Sequence, residues 1–92
     1  MIVRILTENQ YNLPGIHVDE LNEIDNKLVE VVAQGDQDGF ERLLESMLNL
    51  VREKGSPLPV DELVESDVVL PEPDISLDEA SQLFTGEGLV PD

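Results

Sequence analysis

The sequence has no cysteine, a single histidine and only three aromatic residues, Tyr11, Phe40 and Phe84. Without thiols the chain can form no disulfide, no thiol nucleophile and no cysteine-ligated metal site, and it suits a reducing compartment, so the cytoplasm is the expected location. With so few aromatics, the core must be small and built from aliphatic Leu and Val. No apolar run approaches the ~20 residues that cross a bilayer, and the opening Met1-Ile2-Val3-Arg4 is too soon charged to read as a signal peptide. The chain is therefore expected neither to span a membrane nor to cross one unaided. Basic residues are scarce as well: five Lys and Arg, of which only Lys27 and Lys54 are lysines, stand against 21 Asp and Glu. Phosphate backbones and anionic lipid headgroups are normally bound by clustered Lys and Arg, so direct nucleic-acid or membrane binding is not expected.

What is present suffices for one hydrophobic core. The 92 residues, 40% of them hydrophobic, make a single domain over 1–92. The formal charge of -16 has two readings. One is a generally acidic, halophilic-like surface kept soluble where high salt screens self-repulsion. The other is an acidic face aimed at a basic partner. The acids are spread along the whole chain, which favours the first.

Patterning divides the chain into short strands and longer helices. Ile2 to Leu6 is a β-branched apolar run, and Gln10 to Leu13 alternates with period two after a polar turn, which predicts a β-hairpin over 2–6 and 10–13. Pro14-Gly15 ends the second strand. Leu21, Ile24, Leu28, Val31 and Val32 then recur on one helical face behind Asp19 and Glu20, predicting a helix over 18–33. Gly35 is its left-handed stop and Asp36 the cap of a second helix over 37–54, whose stripe is Phe40, Leu43, Leu44, Met47, Leu48 and Val51. So short a connection folds the two back as an antiparallel hairpin. Ser56-Pro57-Leu58-Pro59 reads as an extended linker, Asp61 to Val64 as one helical turn, and 67–70 as a short third strand that extends the hairpin sheet. Ser76-Leu77-Asp78-Glu79 is a capping box that opens a C-terminal helix over 77–84. The fold class is thus α+β: a small sheet packed on a helical hairpin, with a short helix at the end.

Few residues arrange themselves for chemistry. His17 lacks a cysteine or serine spaced to make a triad, and it reads as a loop histidine. Gln34, Asp36, Asp38, Gly39 and Glu45 fall on positions of a calcium-loop template, but the first position lacks its acid and the apolar helical pattern already begins at Phe40. Gly86-Glu87-Gly88 follows a helix, not a strand, and lacks a third glycine, so it is a turn and not a dinucleotide loop. No catalytic, metal or cofactor site is expected. Arg4 and Arg52 stand out as cations within or beside apolar runs; each reads either as half of a local ion pair or as a contact reserved for a partner.

Taken in order along the chain, these features resemble a known family. The opening Met1-Ile2-Val3-Arg4-Ile5-Leu6 with Gln10-Tyr11, Leu21-Asn22 with Asp25, and Gly35-Asp36 with Phe40 carry the first half. Val51-Arg52 with Gly55, Pro57-Leu58-Pro59, Ser66-Asp67 with Leu70-Pro71, Ser76-Leu77 with Glu79, and Glu87-Gly88-Leu89-Val90-Pro91 carry the second. Together they are similar to the PspA-associated protein family (PspAA), small proteins linked to the PspA membrane-stress coiled coil, with a departure at Pro14-Gly15-Ile16. The resemblance implies an accessory to a PspA-like protein in the response to damaged cytoplasmic membrane, and it brings no established catalytic residue. The expected function is therefore a non-enzymatic adaptor or regulator that binds a PspA-like coiled coil and reaches the membrane only through that partner. Large groups outside the helical stripes supply the candidate contacts: Tyr11, Leu89 and Val90, with Arg4 and Arg52. An acidic DNA mimic or antitoxin-like inhibitor of a basic partner is the competing interaction reading. A hydrolase or metal-dependent activity built on the acidic clusters is the competing enzyme reading.

Overall fold

A computed structural model describes residues 1–62, 64–84 and 89. Its elements follow in the order β1 (Ile2–Ile5), β2 (Gln10–Asn12), a 3-10 turn (Gly15–His17), α1 (Val18–Gln34), α2 (Gln37–Lys54), β3 (Ser56–Pro57), β4 (Val68–Leu70) and α3 (Leu77–Leu83). The strands form one mixed sheet ordered β3-β2-β1-β4. β1 and β2 pair antiparallel with Val3 opposite Tyr11, β2 and β3 pair antiparallel, and β4 lies parallel to β1 with Arg4 opposite Val69. The α+β class is the one expected from the pattern, and the elements that the pattern anticipated have ends displaced by at most a residue, the ordinary fraying of element termini.

Two parts of the sheet differ from the expectation. Ser56-Pro57, read as linker, is a fourth strand. It lies at the sheet edge, where proline's missing N–H is not needed, and the Leu58 N–H beyond it donates to the Gln10 carbonyl at 2.9 Å. The helical turn expected over Asp61 to Val64 is replaced among the described residues by a turn in which the Glu62 N–H donates to the Pro59 carbonyl at 3.1 Å. That turn belongs to a crossover. β3 and β4 occupy opposite edges of the sheet, so the segment between them has to pass over the two central strands.

The helical hairpin is closed by local chemistry. Gly35 adopts φ 69°, the left-handed region that glycine enters without a Cβ penalty. The Asp36 N–H donates to the Val31 carbonyl at 2.9 Å and the Gly35 N–H to that of Val32 at 3.1 Å, the crossed pair of a Schellman termination. Asp36 then caps α2, its carboxylate accepting from the Gly39 N–H at 3.0 Å. Ser76 caps α3 in the same way through the Glu79 N–H at 3.1 Å.

Strand alternation sets the two sheet faces. Val3, Ile5, Val68 and Leu70 are buried and join Leu21, Leu28 and Val32 of α1 with Phe40, Leu44, Met47, Leu48 and Val51 of α2 in a single core. The other face carries Arg4, Asn12 and Val69, all exposed. The core is aliphatic apart from Phe40 and Phe84, as the composition requires.

Candidate partner-binding site

The five candidate contact residues have different surroundings. Tyr11 lies on the helix side of β2, half-buried against the core, with its Cβ close to Gly55 at the end of α2. Leu89 is also half-buried against the core, and its N–H donates to both carboxylate oxygens of Asp25 at 3.0 Å. Val90 lies outside the described residues. Arg52, in the last turn of α2, donates through Nε to Glu8 Oε1 at 2.9 Å, through Nη2 to Glu8 Oε2, and through Nη1 to Asn49 Oδ1 at 3.2 Å. Of the four that are described, Arg4 alone is exposed, on the outer sheet face, and it enters no ion pair among the described residues.

The Glu8–Arg52 fork has clear electrostatics. The hydrogen bonds from Arg52 hold the Glu8 carboxyl below its ordinary value, the guanidinium charge adds to this, and partial burial opposes it. The same fork raises Arg52 further, first through the hydrogen bond to Glu8, then through the charges of Glu8 and Tyr11, against burial. A bidentate pair ties the β1–β2 turn to the end of α2 and fixes both side chains.

The crossover shapes what remains open. Gln10 is buried because that segment runs over it, and its Nε2 donates to the Val64 carbonyl at 2.8 Å and to Ser66 Oγ at 2.7 Å. The Ile2 N–H donates to Asp67 Oδ2 at 2.7 Å where the crossover enters β4. Between segment and sheet lies a cleft of about 200 Å³ whose walls include Arg4, Glu8, Gln10, Pro59, Val60 and Glu62.

His17 is half-buried in the 3-10 turn ahead of α1. α2 begins at Gln37 and runs straight through the calcium-loop template, so Asp38 and Glu45 project from a helix and cannot wrap an ion, and Asp36 is spent as a cap. Among the described residues no three His, Asp or Glu side chains converge to hold a metal, and no helix is long and apolar enough to cross a membrane.

Sequence reading passed over the contacts of Asp25, Gln10 and Glu8, because each is made with a partner far along the chain. Asp25 carried one available signal: it is an acid on the apolar face of α1, one residue after Ile24 and three before Leu28.

Across residues 1–92, its whole length, the chain matches the PspA-associated protein family. It belongs to that family. No curated protein and no solved structure matches it significantly. Residue by residue, then, this PspA-associated protein offers an exposed arginine on the outer sheet face beside the crossover, an arginine fork that braces the fold, and an acidic surface.

Proposed function

We propose that this chain is an accessory that binds a PspA-like coiled-coil protein in the cytoplasm and acts, through that partner, in the response to membrane damage. The carrying observation is the family match over residues 1–92, which points to association with PspA. The charge supports it: at -16 the molecule is repelled by anionic headgroups, so any membrane role has to pass through a protein. Tyr11, Arg52 and Leu89 belong to this reading as groups that hold the binding face in shape, and Arg4 as a group that touches the partner.

The test is a titration of the purified chain into its cognate PspA homologue, and separately into vesicles of phosphatidylglycerol and phosphatidylcholine. Binding to the homologue without binding to vesicles is the expected result. Tight vesicle binding without PspA, together with no binding to the homologue, overturns the adaptor reading.

A further inference from the structure

Arg4 is the odd charge in this molecule. In a chain with 21 acids it faces outward from the middle of the sheet, opposite Gln10 on one side and Val69 on the other, with no acid paired to it among the described residues. Glu8, which shares the cleft with it, is already committed to Arg52. Its surroundings are mixed: Glu8, Asn9 and Gln10 share its cleft, while Val69 beside it is 47% exposed, Leu6, two residues along the same alternation, is 40% exposed, and Val60 on the crossover is 89% exposed. On the crossover Glu62 lines the same cleft as Arg4, and Glu65 and Asp67 follow it toward β4, all three exposed.

Exposed apolar side chains around a guanidinium that has no ion pair among the described residues, with carboxylates along the crossover, form a template with a definite complement. Arginine held among apolar groups is favoured as a binding anchor, because a carboxylate docking on it is shielded from water. We propose that this sheet face is the docking surface for the PspA-like partner, and that its occupant is one amphipathic helix of that partner. The helix lays an apolar stripe over Val69, Leu6 and Val60, sets one carboxylate on Arg4 and places basic side chains opposite Glu62, Glu65 and Asp67. The inference rests on the adaptor reading and names the surface that reading leaves open. Charge selects the occupant. A second copy of this chain would set two groups of carboxylates against each other, each on a body of formal charge -16. A nucleic acid would meet one arginine and a row of acids.

The experiment measures binding of the full chain to the purified cognate PspA homologue by calorimetry. Arg4→Glu and Val69→Asp are the disrupting variants, and Glu30→Gln, exposed on α1, is the control. Arg4→Gln and Val69→Thr are carried in parallel as milder changes, and thermal melts confirm that each variant folds. Arg4→Glu and Val69→Asp are expected to weaken binding by about tenfold or more each, while Glu30→Gln leaves it unchanged. If the natural sequence binds and all four face variants bind equally well, the surface is wrong and the adaptor reading survives. If the natural sequence does not bind, the adaptor reading itself falls. If sedimentation shows self-association that Arg4→Glu abolishes, the face belongs to a second copy and the proposal is overturned.

Discussion

The backbone N–H of Leu89 donates to both carboxylate oxygens of Asp25, each at 3.0 Å, joining two residues 64 positions apart in sequence. Asp25 is completely buried on α1, where polar oxygens are costly unless they are hydrogen-bonded. The contact holds Leu89 against the core. Asp25→Ala removes the acceptor and strands a donor, at a cost of about 1–3 kcal/mol, whereas Asp25→Asn keeps one carbonyl acceptor and should cost less. Urea unfolding of the two variants measures both. Equal losses would mean that the contact with Leu89 contributes nothing of its own.

The Glu8–Arg52 fork makes a pH prediction whose sign follows from the lowered Glu8 value. In the unfolded chain Glu8 titrates near the ordinary ~4.3, and in the folded chain below it. Its contribution is therefore fully present above about pH 4.3 and is lost as pH falls through the lower folded value. The pair is about a third exposed, so the contribution is on the order of 1 kcal/mol or less. Protonation of the other acids relieves repulsion in the same window. The quantity to follow is thus the stability difference between the natural sequence and Glu8→Gln, which should shrink as pH drops below about 4. A difference that grows on acidification would show that the fork does not hold Glu8 ionised.

Gly55 closes α2 for reasons of space, not of backbone angle. Its φ is -83°, yet a Cβ built there would lie 2.5 Å from the Val51 carbonyl oxygen and 3.0 Å from Tyr11 Cβ. Gly55→Ala should therefore cost about 1–3 kcal/mol as an overpacking change. Gly15→Ala, with nothing within 4 Å, should be neutral or stabilising by up to about 1 kcal/mol. Thermal melts of the two variants settle the contrast, and equal effects would remove Tyr11 from the account of why α2 ends there.

Local chemistry was readable and long-range chemistry was not. Gly35, Asp36 and Ser76 mark helix ends because each acts on backbone groups within five residues, and the structure has each acting as a stop or cap. Even there one detail changed: the Glu79 carboxylate accepts from the Ser76 hydroxyl, where the capping box would have it accept from the Ser76 N–H. β3 escaped notice because two residues, one of them proline, carry no periodicity, and only Tyr11 and Asn12 on β2 give them a ladder to join. Arg52 was legible as a charge beside an apolar run, but its partner Glu8 lies 44 residues away, a distance no local pattern reports. The placement of Arg4 on the outer face beside the crossover follows only from the strand order.

The last prediction concerns the charge as a whole. The molecule has a radius of gyration of 12.6 Å and a formal charge of -16. At about 0.1 M salt the screening length is roughly 10 Å, comparable with the molecule itself, so acids on opposite sides still repel one another. At about 1 M it is roughly 3 Å, and only neighbours interact. Folding gathers the 21 acids into a smaller volume than the unfolded chain occupies, so screening should stabilise the folded state more than the unfolded one. Salt also weakens the attractive pairs. Of these, Lys27–Glu23 is largely exposed and worth little, and the Glu8–Arg52 fork is partly shielded, so the relief of repulsion should win. Urea-unfolding midpoints should therefore rise with sodium chloride, most steeply below about 0.5 M, where the screening length changes fastest. Potassium chloride at equal ionic strength should give the same curve. A flat or falling midpoint, or a rise seen with one cation only, would show that something other than screened repulsion governs the stability of this acidic fold.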